Sequence, residues 1–483
     1  MRKNVILFLV LTAVLSNICT AQQKPAYTPR IEAGPCKVKI DPRLTAQCGY
    51  LVVPENRQKP AGRTIKIPFL YIRNAASDSI NNVTLFTTGG PGYSTIANYD
   101  SITSNFGFLQ FGGFIAFDQR GTRNSQPCLD CPEVNAAIKR AYKENRSKDK
   151  LVLEAVKQCR ERFVSQGIDL SAYNTIESAA DISDLRLALK IDSLTLYGIS
   201  YSGGLMLTVA RNHPQGVKAL VLNSPLPGYV NYEEDALLNY NEALNYIFES
   251  CETDSSGDAY RNLRARFKQY FTSINGKVFT IPYAEKNTAD TLKINYTKNE
   301  LLDAVIGRIN NRQLKTVPFV MNELIRGNHA PYVKEVLDGI FAGNNALSHG
   351  MRYSVYCSEQ IAYSDEALVK KQDSLLPWLA GYPFNNVNHA ICDCWKVKPE
   401  PKTVKTAVYS NIPVLLLTGL ADPWCSPFYN RLVKRYMPNS QLLFMRNQAH
   451  GASFVVDGTD FLKMFMADPY RKIISNTKNV IVE

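Results

Sequence analysis

A serine hydroxyl is a weak nucleophile until a base takes its proton and an acid orients that base. Three segments of this 483-residue chain carry residues of those types in the order serine, acid, histidine. Ser200 stands in Gly198-Ile199-Ser200-Tyr201-Ser202, Asp422 in Thr418-Gly419-Leu420-Ala421-Asp422-Pro423, and His450 in Asn447-Gln448-Ala449-His450-Gly451. The first is a G-x-S-x-small turn between an alternating polar/apolar run and residues at helical spacing. Small residues two before and two after the serine let strand and helix approach while the serine is forced into a tight turn. Its Oγ then projects from the sheet end, at the positive end of the helix. The chain has five histidines. His213 lies beside Pro214 at the end of the elbow helix, and His329, His349 and His389 lie in a helical stretch. His450, in the loop after the last strand, is the candidate base. Asp422, after an apolar strand and a glycine turn, is the candidate acid.

Acyl transfer also needs two N–H donors for the tetrahedral oxyanion. Tyr201, directly after the serine, supplies one. Gly89-Gly90-Pro91-Gly92 offers the second, with Gly90 the favoured donor and Gly89 the alternative: glycine lets the backbone approach substrate, and Pro91 stiffens the loop. No metal or organic cofactor is implied. Cys128-x-x-Cys131 and Cys392-x-Cys394 lack histidines at ligand spacing, and His389 stands alone.

The elements that must position these groups follow from periodicity. Strands are expected over 49–53, 65–71, 83–86, 114–117, 193–197, 217–222, 412–418 and 441–445. Helices interleave over 132–166, 178–190, 205–213, 427–436 and 454–465. That alternation predicts a parallel sheet with helices on both faces. From 229 to 405 helical segments dominate, with a hairpin over 277–296 and a Thr297-x-x-Glu300 capping box. The expected organisation is a signal peptide (1–21), a first core part (22–228), an inserted helical cap (229–405) and a second core part (406–483).

Composition bounds the partners. The chain has 55 basic and 43 acidic residues, a net charge of +12, scattered along its length. Nucleic-acid binding would cluster those charges on one element, so a solvated basic surface is the reading. Arg2 and Lys3 precede an apolar run over 5–15 and then Cys19-Thr20-Ala21, the pattern of a secretory signal cleaved after Ala21. The run is short for a membrane span. Asn17 and Ile18 fit a lipobox poorly, which makes a lipid anchor at Cys19 the lesser reading. The expectation is a secreted or periplasmic protein with no membrane attachment after signal removal. Ten cysteines follow the signal, and in an exported chain they read as disulfides. Cys36 with Cys48 closes a short loop, and Cys159 pairs with Cys128 or Cys131; the other pairings stay open.

Together these motifs resemble the secreted prolyl- and tripeptidyl-aminopeptidase branch of the α/β-hydrolases, over nearly the whole chain beyond the signal. The residues carrying the resemblance are Gly89-Gly90-Pro91-Gly92, Asp118-Gln119-Arg120-Gly121-Thr122, Tyr197-Gly198-Ile199-Ser200-Tyr201, Gly419-Leu420-Ala421-Asp422-Pro423 and Gln448-Ala449-His450-Gly451. It implies an α/β-hydrolase fold with a mostly parallel central sheet and a large, mainly helical inserted cap. It also implies a serine peptidase that releases short units from peptides with a free N-terminus, with Ser200, Asp422 and His450 as triad. Acidic cap residues hold the substrate ammonium in such enzymes, and Glu359 in Cys357-Ser358-Glu359 is the candidate anchor. The chain departs from the pattern at Ser202 (usually glycine), at Arg123-Asn124, and at Trp424-Cys425-Ser426-Pro427. The alternative activity is a carboxylesterase acting on small esters with the same triad, and the non-enzymatic alternative is a binding module that kept the fold.

Overall fold

The computed structural model describes residues 27–74, 82–252, 260–288, 291–310 and 313–483. The expected signal peptide lies outside the described residues. Ten strands form the central sheet: β1 (Arg30–Ala33), β2 (Leu44–Pro54), β3 (Thr64–Asn74), β4 (Val83–Thr87), β5 (Gly113–Phe117), β6 (Leu194–Ile199), β7 (Val217–Asn223), β8 (Val414–Gly419), β9 (Ser440–Met445) and β10 (Val480–Val482). Their spatial order is β1-β2-β3-β5-β4-β6-β7-β8-β9-β10. From β5 to β9 every pairing is parallel, and antiparallel strands flank this block on both sides. Strands covered on both faces lose the polar alternation of a half-exposed strand. β8, Val-Leu-Leu-Leu-Thr-Gly, is accordingly buried at all six positions.

One face of the sheet packs on α3 (Thr175–Ala188), α4 (Tyr201–Asn212) and α13 (Pro427–Tyr436), through Ile182, Leu185, Leu205, Met206 and Val433. The other packs on α14 (Phe461–Ala467) through Phe461, Leu462 and Phe465. α1 (Pro132–Lys143) and α2 (Lys148–Ser165) leave the sheet after β5. Between β7 and β8 the chain adds eight helices among the described residues: α5 (Tyr232–Glu252), α6 (Leu263–Ser273), α7 (Lys298–Asn310), α8 (Val317–Ile325), α9 (Ala330–Ala342), α10 (His349–Glu359), α11 (Glu366–Leu375) and α12 (His389–Trp395). A hairpin, Phe279–Ala284 with Thr291–Tyr296, joins them and packs in an apolar core of their own. The Thr297-x-x-Glu300 box forms: Glu300 accepts from both the Thr297 backbone N–H (2.7 Å) and its hydroxyl (2.9 Å) at the start of α7.

Several boundaries moved. α3 begins at Thr175, before the expected 178, because the Asn174 side chain accepts from the Glu177 N–H and caps it. The helix expected over 454–465 is confined to Phe461–Ala467, since Val455–Val456 pairs with Thr459–Asp460 in a small hairpin. β10 is an edge strand of only three residues, too short to show periodicity. Disulfides join Cys36 to Cys48, Cys131 to Cys159 and Cys357 to Cys392, with Cα separations of 5.1, 5.6 and 5.2 Å. Cys128, Cys251, Cys394 and Cys425 are free thiols, so the reading of all ten as disulfides is corrected. No helix among the described residues is long and apolar enough to cross a membrane.

Candidate active site

Ser200 occupies the turn between β6 and α4 with φ 59° and ψ −129°, a conformation that non-glycine residues rarely adopt and that surrounding bonds must hold. Its N–H donates to the Asn223 carbonyl (3.1 Å), and its own carbonyl accepts from the N–H groups of Gly203 and Leu226 (both 2.9 Å). Ser202, where glycine is usual, adds a further tie. Its Oγ accepts from the Ile199 N–H (2.8 Å) and donates toward the Thr87 carbonyl (2.7 Å) at the end of β4. The extra side chain therefore bridges two strand ends beneath the Ser200 turn. Gly89 comes so close to that turn that a Cβ on it would lie 2.6 Å from the Ile199 carbonyl oxygen and 2.9 Å from the Ser200 Cβ.

The loops that carry Asp422 and His450 are packed backbone against backbone. A Cβ on Gly419 would meet the Gln448 carbonyl at 2.3 Å, and Ala421 N–H donates to Gln448 O at 3.0 Å. Asp422 is 1% exposed. Its Oδ1 accepts from the backbone N–H groups of Trp424 (3.0 Å) and Cys425 (2.9 Å), and its Oδ2 lies 2.9 Å from His450 Nδ1. The Trp424 ring stands edge-on to the imidazole at 5.2 Å, and Gly451 N–H donates to Ser224 Oγ (3.2 Å). Cys425 Sγ lies 3.8 Å from Ser200 Oγ, and burial drives its thiol far above the ordinary range, which keeps it protonated.

Ser200, His450, Gly89, Gly90, Trp424 and Cys425 line one cavity of about 460 Å³, closed opposite by Tyr232, Arg352, Tyr353, Tyr356 and Phe384. Arg352 joins the two sides. It donates to the Gly90 carbonyl (2.7 Å) and to Asn385 Oδ1 (2.8 Å), while Ser348 N–H donates to the Gly92 carbonyl (2.9 Å). From the core side, Gln119 holds the Thr88 carbonyl (2.8 Å), and Asp118 accepts from the backbone of Thr95 (2.6 Å) and Ile96 (2.9 Å). Arg120, fully buried, is bound by Asp181 and by the Glu55 and Ala172 carbonyls. The Asp118-Gln119-Arg120 motif thus braces the loops of the site from behind.

Glu359 is not in the cavity. It is 3% exposed, behind the wall, accepting from Thr175 Oγ1 at 2.7 Å. The expected amine anchor is therefore displaced: α10 turns Arg352, Tyr353 and Tyr356 to the cavity, and Glu359 sits in its final turn beside buried Glu400 and Lys405. A second cavity of about 540 Å³ adjoins the first, sharing Asn344, Leu347, His349 and Asn386 with it. It is lined by Asp303 of α7 and by the ion pair Arg308–Glu335 (2.5 Å). Asp303 accepts from the Tyr382 hydroxyl (2.6 Å), and burial raises its carboxyl to about 6. Neither Arg352 nor Asp303 belongs to a recognisable motif, and no sequence signal singles them out. Among the described residues no group of three or more His, Cys, Asp or Glu is placed to hold a metal ion.

Residues 86–455 match the family described as alpha/beta hydrolase fold. A tripeptidyl aminopeptidase of Streptomyces lividans is 30% identical over 192 residues, 37% of this chain and 35% of that enzyme. The chain thus spans about a third of the length of that relative in the match. Serine protease Hip1 of Mycobacterium tuberculosis is 21% identical over 496 residues, covering 92% of this chain and 88% of that protein. Among solved structures, an alpha/beta hydrolase fold protein from Chitinophaga pinensis aligns with a TM-score of 0.36 and 13% identity, over 88% of this chain and 96% of that one.

Proposed function

From a chain that belongs to the alpha/beta hydrolase fold family, we propose an exported serine aminopeptidase that cleaves peptides bearing a free N-terminus. The observation that carries the reading is that His450, held at Nδ1 by the buried Asp422 carboxylate, lines one cavity with a serine at a strained strand–helix turn. The two named relatives, a tripeptidyl aminopeptidase and a serine protease, support the substrate class. Three disulfides support export.

In this reading His450 takes the Ser200 proton as Oγ attacks the peptide carbonyl, and Asp422 keeps the imidazole in the tautomer with Nδ1 protonated. The Tyr201 and Gly90 amides receive the oxyanion. The amine leaves with the proton from His450, and water then releases the acyl group by the same route. The segment between β7 and β8 acts as the cap that limits access. With Glu359 behind the wall, the acceptor proposed for the substrate ammonium is Asp303: of the two carboxylates that line the adjoining cavity, Glu335 is already paired with Arg308. An amine bound there is charged and paired with a partly desolvated carboxylate, whereas a blocked amine leaves that carboxylate without a partner.

The test compares hydrolysis of matched short peptide anilides with free and acetylated N-termini, in wild type and Ser200→Ala. Preference for the free amine, lost in the variant, supports the reading. Equal rates on both peptides refute the exopeptidase. Turnover of p-nitrophenyl acetate without cleavage of either peptide assigns a carboxylesterase instead.

A further inference from the structure

Behind the nucleophile turn lies a set of buried polar groups that the chemistry above does not use. Tyr201, whose N–H is the proposed oxyanion donor, is 3% exposed, and its phenol oxygen lies 2.9 Å from Thr175 Oγ1. Thr175 donates its single hydroxyl proton to Glu359 Oε2 (2.7 Å), so it accepts from the Tyr201 phenol. Glu400, 4% exposed, accepts from the Ile176 N–H (3.1 Å) at the start of α3, and its own N–H donates to the Ser358 carbonyl (2.9 Å). A hydrogen-bonded line therefore runs from the last turn of α10 through the first residue of α3 to the first residue of α4.

The line matters because of the peptide it ends on. The Ser200 carbonyl and the Tyr201 N–H belong to one peptide plane. Gly203 and Leu226 hold the carbonyl side of that plane. The phenol anchor holds the Tyr201 side, across a turn whose backbone is strained and must be fixed by its surroundings. Resting on the reading of Ser200 as nucleophile, we propose that Glu359 is a positioning residue for the oxyanion hole, acting through Thr175 and the Tyr201 side chain.

Ionisation of this carboxyl gives the proposal a signature. Burial, then the neighbouring Glu400, push Glu359 up to about 8. Lys405, whose amine donates to the Gly228 and Val230 carbonyls, and Arg211 of α4 partly offset this from the other side. Tyr356 on α10 and Tyr201 also face the carboxyl, both pushed up by burial so that they stay neutral, and Glu234 faces Lys405. Burial pushes the Glu400 carboxyl up as well, so the two neighbouring carboxyls resist ionising together, and at alkaline pH their ionisation puts two buried negative charges side by side at the end of the line to Tyr201.

The experiment measures kcat and KM against pH for wild type, Glu359→Gln and Thr175→Val, on a free-amine peptide anilide and on p-nitrophenyl acetate. Glu359→Gln keeps an acceptor for Thr175 but cannot ionise. On p-nitrophenyl acetate, which has no amine of its own to titrate, the alkaline fall in kcat present in wild type should vanish in Glu359→Gln. Thr175→Val cuts the line and leaves the carboxyls in place. Its kcat should fall about tenfold or more on both substrates with KM nearly unchanged, short of the loss of a whole oxyanion donor, which costs about 10²–10³. Fluorophosphonate labelling of Ser200 and thermal unfolding check that each variant is folded. A folded Thr175→Val with wild-type kcat, or an alkaline limb that persists on p-nitrophenyl acetate in Glu359→Gln, overturns the proposal. Wild-type turnover that survives Ser200→Ala overturns the catalytic reading on which it rests.

Discussion

Asp422→Asn tests the proposed pairing of Asp422 with His450, because it separates the orientation of the imidazole from the charge of the carboxylate. The backbone decides how the new amide must sit. Asp422 Oδ1 receives the N–H groups of Trp424 and Cys425, while His450 Nδ1 lies nearer Oδ2 (2.9 Å) than Oδ1 (3.1 Å). An asparagine that keeps its carbonyl on the two backbone donors puts its NH₂ at the nearer position to Nδ1. An imidazole that accepts from that NH₂ carries its proton on Nε2, where it cannot take the proton of Ser200. The flipped amide would restore the tautomer but point its NH₂ at two backbone donors. Leaving them unpaired costs about 1–3 kcal/mol each, so roughly 2–6 kcal/mol in total. At about 1.4 kcal/mol per tenfold, even the lower figure leaves only a few per cent of the productive form. In a serine protease triad the same exchange costs about 10⁴ in kcat through the wrong tautomer, and we expect about 10³–10⁴ here. KM should stay within about threefold, because transition-state rather than ground-state stabilisation is lost. The assay is steady-state kinetics on a free-amine peptide anilide and on p-nitrophenyl acetate, with thermal unfolding alongside. A folded Asp422→Asn with kcat within tenfold of wild type would refute the assignment of Asp422 as the residue that sets the His450 tautomer.

Three further outcomes are expected. Ser202→Ala removes the acceptor of the Ile199 N–H and the donor to Thr87 beneath the elbow; it should destabilise by about 1–3 kcal/mol, read as a lower unfolding temperature and faster amide exchange at Ile199, and unchanged values would refute the bridge. Arg352→Met frees the Gly90 carbonyl from α10; kcat should fall about tenfold on ester and peptide alike if the loop must be held to serve as an oxyanion donor, whereas a change in KM alone would make Arg352 a substrate contact. Asp303→Asn should cut kcat/KM by about 10–100-fold on free-amine peptides, the worth of one charge-assisted contact, and leave acetylated ones unaffected. Burial pushes that carboxyl up to about 6; if its anion holds the amine, wild-type kcat/KM on free-amine peptides should fall more steeply as pH drops through 6 than on p-nitrophenyl acetate, and this excess should be missing in Asp303→Asn.

The parallel sheet was legible because its strands are apolar on both faces, as in Val-Leu-Leu-Leu of β8, and because helices alternate with them. The elbow, the glycine loop and the acid and base loops were legible for a related reason. Each lies at a strand end, where a short run of small and polar residues interrupts an apolar pattern. The boundaries that moved were those set by single side chains. Asn174 capped α3 earlier than its periodicity suggests, and the turn at 457–458 made a hairpin from residues that read as helix.

Residue types and spacing by themselves singled out which groups could do chemistry and on which strand ends they lie, since histidine is scarce, with five in the chain, and the candidate loops are marked by glycine. Only the tertiary structure decided which side chains of the inserted helices face those groups. α10 presents Arg352, Tyr353 and Tyr356 to the cavity and hides Glu359, one turn further on, against α3. A helix whose residues are buried almost all round carries no polar face that tells one side from the other. Which face meets the cavity is set by packing against partners from distant parts of the chain, and no local pattern records that choice.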